Sequence, residues 1–324
     1  MERNLSIDLI KIVAMLGVIS LHCNLGNLDN PMAFIMSRIS GISIPLFFMV
    51  SGFLLSEKTA SINYSIKKIL GILRFVFIIT FACWGFYSVI HGFDLHKMIL
   101  FTCGSLVQKG PFWMFWYLGA MCFIYILLPI LSRLKKSVNF FYLKLFLLLI
   151  CIEFVVFVAT IITHFEFTVI QSFRIWNWLT YFTLGAIVKE YLLDNNKDTQ
   201  PVSLMFCLIS AIFFVVFVHF CKPYIDGIEY FFTTPLCMLY AFSVFLVMAK
   251  LSIEKNRVIS ELAKLFLPVY TLHFFIIIYS RQLFNISLQG FALPVVEWVI
   301  VSIVTIVFSY CLMKIPFIKA IFRI

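Results

Sequence analysis

Long apolar runs alternate with short polar connections along the whole chain. Ten such runs can be drawn, at 7–26, 39–55, 69–90, 112–131, 143–163, 174–193, 202–220, 231–249, 264–283 and 291–312. Each is close to the roughly 20 residues that cross the hydrocarbon core as a helix. The second run is short and carries Pro45, Ser51 and Gly52, so a kinked or irregular helix is expected there. Between His91 and Pro111 an apolar turn around Met98 to Cys103 predicts a small re-entrant or surface helix. No polar stretch is long enough to fold as a separate soluble domain. The pattern predicts an all-α integral membrane protein, a single bundle of about ten transmembrane helices forming one domain over residues 1–324.

Composition agrees. The chain is 63% hydrophobic and 12% charged, against about 45–50% and about 25% for soluble domains. With the N-terminus in the cytoplasm, most of the 25 lysines and arginines fall on the inner side. That is the positive-inside pattern for an even number of spans with both termini cytoplasmic. The net charge of +10 is thereby accounted for without a nucleic-acid partner. The first apolar run is too long for the core of a signal peptide and has no small-residue cleavage site. The nine cysteines are scattered with no CxxC pair and read as small hydrophobes.

The polar residues inside apolar runs carry the candidate chemistry, because a charge in hydrocarbon is expensive and normally faces protein or a wet cavity. Asp8, Lys11 and His22 line one stripe of the first helix. Asp8 and Lys11 are three apart, and Lys11 and His22 are eleven apart, about 16 Å of rise and within about 20° of one direction. Snorkelling for the first two and an interfacial position for the third remain open. Tyr270 and His273 share one face of the ninth run, with His273 about 13 Å in from its cytoplasmic start. The plainer alternative is a neutral histidine bonded across helices. Ser51 beside Gly52 serves packing or chemistry. Trp113 and Trp116 are an aromatic belt or a platform for a sugar ring. Glu153 lies deep in the fifth run and needs a partner or a proton. His164 and Arg174, near Glu166, either meet an extracytoplasmic acceptor or are solvated loop residues. No HExxH, cysteine set, GxxxxGK[ST], GxGxxG or GxSxG is present, so no metal is expected.

Taken in order, these segments resemble acyltransferase family 3, integral membrane proteins whose members commonly O-acylate cell-surface carbohydrates. Arg3, Asp8, Lys11 and His22 match the family's opening arginine, aspartate, second arginine and histidine. Phe47-Phe48-Met49-Val50-Ser51-Gly52 resembles its F-F-x-x-S-G motif. Trp116-Tyr117-Leu118 with Pro129 resembles its W-x-L segment and distal proline. Tyr181 to Gly185 resembles Y-F-x-x-G, and Tyr270 to His273 resembles Y-x-x-H. Two departures stand out. Lys11 replaces an arginine and loses the bidentate fork. Lys67, Lys68 and Arg74 only approximate a cytoplasmic R-x-x-R.

The resemblance implies transfer of an acyl group, acetyl above all, from cytoplasmic acyl-CoA to a hydroxyl of a cell-surface or lipid-linked carbohydrate, in a multi-pass protein of the bacterial cytoplasmic membrane. His22 is the expected general base, and Asp8 and Lys11 position the donor or balance charge. His273 is a second proton-transfer group or an oxyanion donor, and Tyr270 or Ser51 a transient acyl carrier. Arg3, Lys11, Lys67, Lys68, Arg74 and Arg133 form the basic rim for polyanionic CoA. Trp113, Trp116, Glu153, His164 and Arg174 are candidates for the acceptor. The expected partners are membrane lipids and the glycan acceptor, with a homodimer left open. A transporter or flippase of a glycolipid or small anion is the competing reading, and a non-catalytic domain of the same fold is a third.

Overall fold

Asparagine, serine and threonine side chains set where the helices begin. In the computed structural model, which describes residues 4–24, 29–193, 200–221, 231–284, 290 and 292–322, Asn4 caps α1 (Leu5–Cys23) by accepting from the Ile7 N–H. Asn30 caps α2 (Pro31–Ser40), with proline in its first turn. After α3 (Ser43–Leu55), Ser61 caps α4 (Ile62–His91). Then come α5 (Leu95–Leu106), α6 (Trp116–Ser137), α7 (Phe141–Thr163), the one-turn α8 (Phe165–Thr168), and α9 (Ile175–Ile187). The last continues as a π turn over Val188–Leu192. Next are α10 (Gln200–Cys221), α11 (Pro235–Ala249), whose cap is Thr234, and α12 (Arg257–Lys264). The chain ends in α13 (Phe266–Phe284), α14 (Leu293–Leu312) and α15 (Pro316–Ile321). Among the described residues there is no strand.

Among the described residues, each of the ten apolar runs falls largely on helix. Among the described residues, seven helices are long and apolar enough to cross a membrane, with α2 and α3 taken together as one. An eighth is present if α12 and α13, bent by 61°, make one span, and α11 is a shorter apolar helix. The irregularity of the second run is real but lies earlier than Pro45. The break falls at Gly41 and Ile42, and Pro45 sits in the first turn of α3, where it removes no intrahelical bond. The helix expected around Met98 to Cys103 is α5.

The chain forms two compact units, one of residues 1–54 with 184–318, the other of residues 55–183 with 319–324. In the first, α1 packs against α2, α11, α12, α13 and α14, and is the most enveloped helix of the unit's core. Gly17 of α1 meets α3 so closely that an added Cβ would lie 2.0 Å from Ser43 Oγ. Gly185 of α9 approaches the Met49 carbonyl oxygen of α3, which an added Cβ would reach at 1.9 Å. The glycine of the Y-F-x-x-G segment is therefore required by the backbone of the F-F-x-x-S-G segment. In the second unit, α4 packs on α5 and α6. Apart from Lys144 and the buried Glu153, α7 is almost entirely apolar, and most of its length is exposed, as a lipid-facing helix should be.

Candidate functional site

The first unit brings His22 and His273 together. His22 sits in the last turn of α1, half-buried, and His273 on α13 is fully buried. His273 Nε2 lies 2.8 Å from His22 Nδ1, and the rings are tilted by 42° with centroids 4.8 Å apart. Each Nδ1 also faces a backbone carbonyl one turn back, Val18 O from His22 and Val269 O from His273, both at 3.1 Å. A carbonyl oxygen only accepts, so His273 Nδ1 carries a proton and its Nε2 carries a lone pair. His22 Nδ1–H then divides between Val18 O and His273 Nε2. That assignment leaves both Nε2 atoms unprotonated, that of His273 accepting from His22 and that of His22 outside the bond between the rings. Phe274 packs edge-on against His22, and Tyr270 stacks on His273 at 6.1 Å.

One residue beyond His22, the backbone is held by a charge pair. Arg281 of α13 makes two bonds to Glu297 of α14, Nε to Oε1 at 2.6 Å and Nη2 to Oε2 at 3.0 Å. Arg281 Nη2 also donates to the Cys23 carbonyl. Trp298 Nε1 donates to Leu16 O at 2.9 Å, a second tie between α14 and α1. Helical periodicity within either segment does not pair these two charges, because they lie on different helices.

At the other end of α1, Asp8 is 2% exposed and accepts from Lys11 Nζ at 3.2 Å. Ser6 Oγ donates to the Leu251 carbonyl, which fixes this end of the helix. Arg3 lies outside the described residues. Ser51 Oγ donates to Phe47 O at 2.9 Å, a bond within its own helix. A narrow apolar gap between packed side chains abuts the histidine pair. Met15, Phe47, Phe266, Val269, Tyr270 and His273 line it, and no water molecule fits freely inside.

In the second unit, the connection between α3 and α4 folds back on α6 and α7. Ser132 Oγ accepts from Ala60 N and donates to Lys58 O, and Lys135 and Tyr142 donate to Ser56 O. The fold-back encloses a cavity of about 380 Å³ at the start of α4, lined by Thr59, Ser61, Asn63, Ser132, Arg133 and Lys136. Two cations and a helix N-terminus make it suited to an anion. Of the expected donor-binding residues on α4 and α6, Arg133 reaches this cavity. Lys67 and Arg74 are exposed along α4, and Lys68 Nζ lies 6.0 Å from the Tyr64 ring.

The remaining candidates also lie in this unit. Trp116 packs on Trp178 at 5.1 Å, and Trp113, half-buried, opens the short 3-10 turn before α6. Arg174 is 2% exposed and bonds Glu166 Oε1 at 3.2 Å, Glu166 O at 2.8 Å and Val169 O at 2.9 Å. Those bonds close the loop between α7 and α9. His164 is exposed and ends α7 in the left-handed conformation, φ 56°. Glu153 is 3% exposed, and neither carboxylate oxygen has a well-formed hydrogen bond. Its polar neighbours are the Thr180 hydroxyl, already donated to Trp176 O, and the Glu166 carboxylate. Among the described residues no group of three or more His, Cys, Asp or Glu side chains is arranged to hold a metal ion.

The model of acyltransferase family 3, an acyltransferase domain, matches residues 4–314. Neither the curated proteins nor the solved structures include a match to the chain.

Proposed function

The chain belongs to acyltransferase family 3, and from that membership we propose that it moves an acyl group from acyl-CoA to a carbohydrate hydroxyl, with His22 as general base. The observation that supports this reading is the hydrogen bond from His22 Nδ1 to His273 Nε2. It orients the His22 ring and directs its basic nitrogen, Nε2, to the reaction. The arrangement is that of a base held by a second group through its other nitrogen.

In the proposed reaction, His22 Nε2 takes the acceptor hydroxyl proton as the oxygen attacks the thioester carbonyl. The tetrahedral intermediate collapses with cleavage of the carbon–sulfur bond. His22 Nε2 returns the proton to the departing thiolate, giving an ester and free CoA. His273 acts as a positioning residue that stabilises the imidazolium through the retained Nδ1–H bond. Asp8 and Lys11 balance charge at the inner end of α1. The basic cavity at the start of α4, with Arg133 and Lys136, supplies the attraction that a polyanionic donor needs. A short acyl group, a cell-surface or lipid-linked glycan as acceptor, and the bacterial cytoplasmic membrane as location complete the reading.

Acyl-CoA turnover by the purified protein in lipid, with and without cell-envelope glycans, tests it. Glycan-dependent release of CoA should fall by at least about 100-fold in His22→Ala. No turnover of any acyl-CoA by the folded wild type overturns the enzyme reading in favour of transport. Turnover that survives the substitution removes His22 as the base.

A further inference from the structure

The cavity at the start of α4 has a more particular chemistry than a positive charge. It lies wholly within the second unit. One wall is a single face of α6, with Pro129, Ser132, Arg133 and Lys136 at helical spacing. The other is the first turn of α4 and the residues before it, 59–63. Its volume of about 380 Å³ is open to water and falls within the range of small-ligand sites. Ser132 locks the two walls together, accepting from Ala60 N–H at 3.0 Å and donating to Lys58 O at 2.7 Å. The lining is rich in donors and holds no carboxylate. Ser61 Oγ accepts from Tyr64 N–H at 3.1 Å, so its own proton is left to give. The Ile62 and Asn63 N–H groups open α4, where no intrahelical acceptor exists. Arg133 and Lys136 are exposed, and among the described residues neither side chain is taken up by a hydrogen bond or an ion pair.

We infer that this cavity binds the 3′-phosphate of the acyl-CoA donor and so selects the phosphorylated donor over its 3′-dephospho form. The inference rests on the acyl-transfer reading above and names the part of the donor that the basic cavity holds. A phosphomonoester carries a charge of about −1.5 to −2 and three strong acceptor oxygens. Two unpaired cations match that charge. The N–H groups that open α4 and the Ser61 hydroxyl match the oxygens. The pyrophosphate of the same donor spreads its charge over two phosphorus centres and is tied into the chain on both sides. It asks for a groove, whereas a terminal phosphate suits a pocket bounded by one helix turn and one helix face. The 3′-phosphate is also remote from the thioester, so its loss should be felt in donor binding. The phosphate of a lipid headgroup shares this chemistry, and the experiment separates the two sources.

The test measures KM for acetyl-CoA and acetyl-3′-dephospho-CoA with the full chain in phosphatidylcholine vesicles. It compares wild type, Arg133→Gln, Lys136→Gln and the double variant, with folding followed by size-exclusion and thermal unfolding. Both side chains are exposed, so the variants should fold. In wild type, KM for the dephospho donor should be at least about tenfold the higher, the scale of a charge-assisted hydrogen bond. Each substitution should raise KM for acetyl-CoA by about three- to tenfold, since the cations are solvent-exposed. The double variant should no longer distinguish the donors. Lys136→Arg, which keeps the charge, should still distinguish them. Direct binding reads the site without turnover. Wild type should bind adenosine 3′,5′-bisphosphate at least about tenfold tighter than adenosine 5′-monophosphate, and the double variant should bind them alike. A wild type that turns over both donors with equal KM, or a double variant that still discriminates, overturns the assignment and leaves the transferase standing. Equal KM together with binding to phosphatidic acid vesicles that depends on Arg133 and Lys136 gives the cavity to a lipid headgroup instead. Discriminating nucleotide binding in a protein that turns over no acyl-CoA keeps the phosphate site and overturns the transfer reading. Neither binding nor turnover overturns both.

Discussion

Arg281 grips Glu297 at two points while donating to the Cys23 carbonyl, one residue past His22. One ion pair therefore ties α13 and α14 to the end of the helix that carries the proposed base. Glu297 is almost fully buried and Arg281 is 28% exposed at its side chain. Removing one partner of a buried pair costs about 3–5 kcal/mol, because the other charge is stranded. Partial exposure of Arg281 reduces that to about 2–3 kcal/mol for Glu297→Ala. The measurement is thermal or denaturant unfolding in a lipid-like detergent. Replacing both residues, Arg281→Met with Glu297→Leu, should cost less than Glu297→Ala alone. A double variant as unstable as the sum of the singles would show that the pair is not coupled.

The His22–His273 bond predicts graded effects at position 273. Alanine removes the acceptor for His22 Nδ1–H and should lower kcat by about 100-fold or more, the scale of a misdirected base. Glutamine keeps an acceptor oxygen and should recover part of that loss, with KM for the acyl donor little changed in both. A His273→Ala protein with full kcat would make the contact one of packing only.

Two close approaches by glycine differ in what they meet, and the difference is testable. At Gly17 the obstacle is the Ser43 side chain, so Gly17→Ala should be destabilising and substantially repaired by Ser43→Gly. At Gly185 the obstacle is the Met49 backbone carbonyl, which no side-chain change can remove. Gly185→Ala should cost about 3 kcal/mol or more, the upper range of overpacking, without rescue by any substitution at Met49. Yield and unfolding temperature of the two pairs decide the matter. Rescue at Gly185 by a Met49 variant would contradict the backbone approach.

These contacts mark where the sequence stops being informative. Among the described residues each of the ten apolar runs lies largely on helix, because the length and polarity of a run are local properties. The stripe of Asp8, Lys11 and His22 was legible for the same reason, since helical periodicity relates residues a few turns apart. The pairing of His22 with His273 joins positions 251 apart, and periodicity within either helix says nothing of the other. Arg281 and Glu297 are only 16 apart, but they lie on different helices, and periodicity within either one does not pair them. Arg174 reads as a candidate acceptor ligand from its position near an outer loop. Its neighbour Glu166 and the carbonyls of Glu166 and Val169 account for its charge and its donors in the folded chain. The number of helices that cross is also not a matter of hydropathy alone. α11 is short, and α12 and α13 divide at a bend of 61°.

Arg174 and Glu166 give the last prediction, which separates a structural from a substrate-contacting role. Both side chains are 3% exposed and 3.2 Å apart. Arg174 further spans two backbone carbonyls of the segment leading into α9. Lysine keeps the charge but has no planar fork with which to reach three acceptors at once. Arg174→Lys should therefore lower stability by about 1–3 kcal/mol, the cost of leaving buried acceptors unmet. Arg174→Ala should cost about 3–5 kcal/mol by stranding Glu166. In protein that remains folded, KM for the glycan acceptor should stay within about twofold of wild type in Arg174→Lys, since no ground-state binding is removed. A folded Arg174→Lys protein of unchanged stability but strongly raised acceptor KM would instead put the guanidinium in contact with substrate.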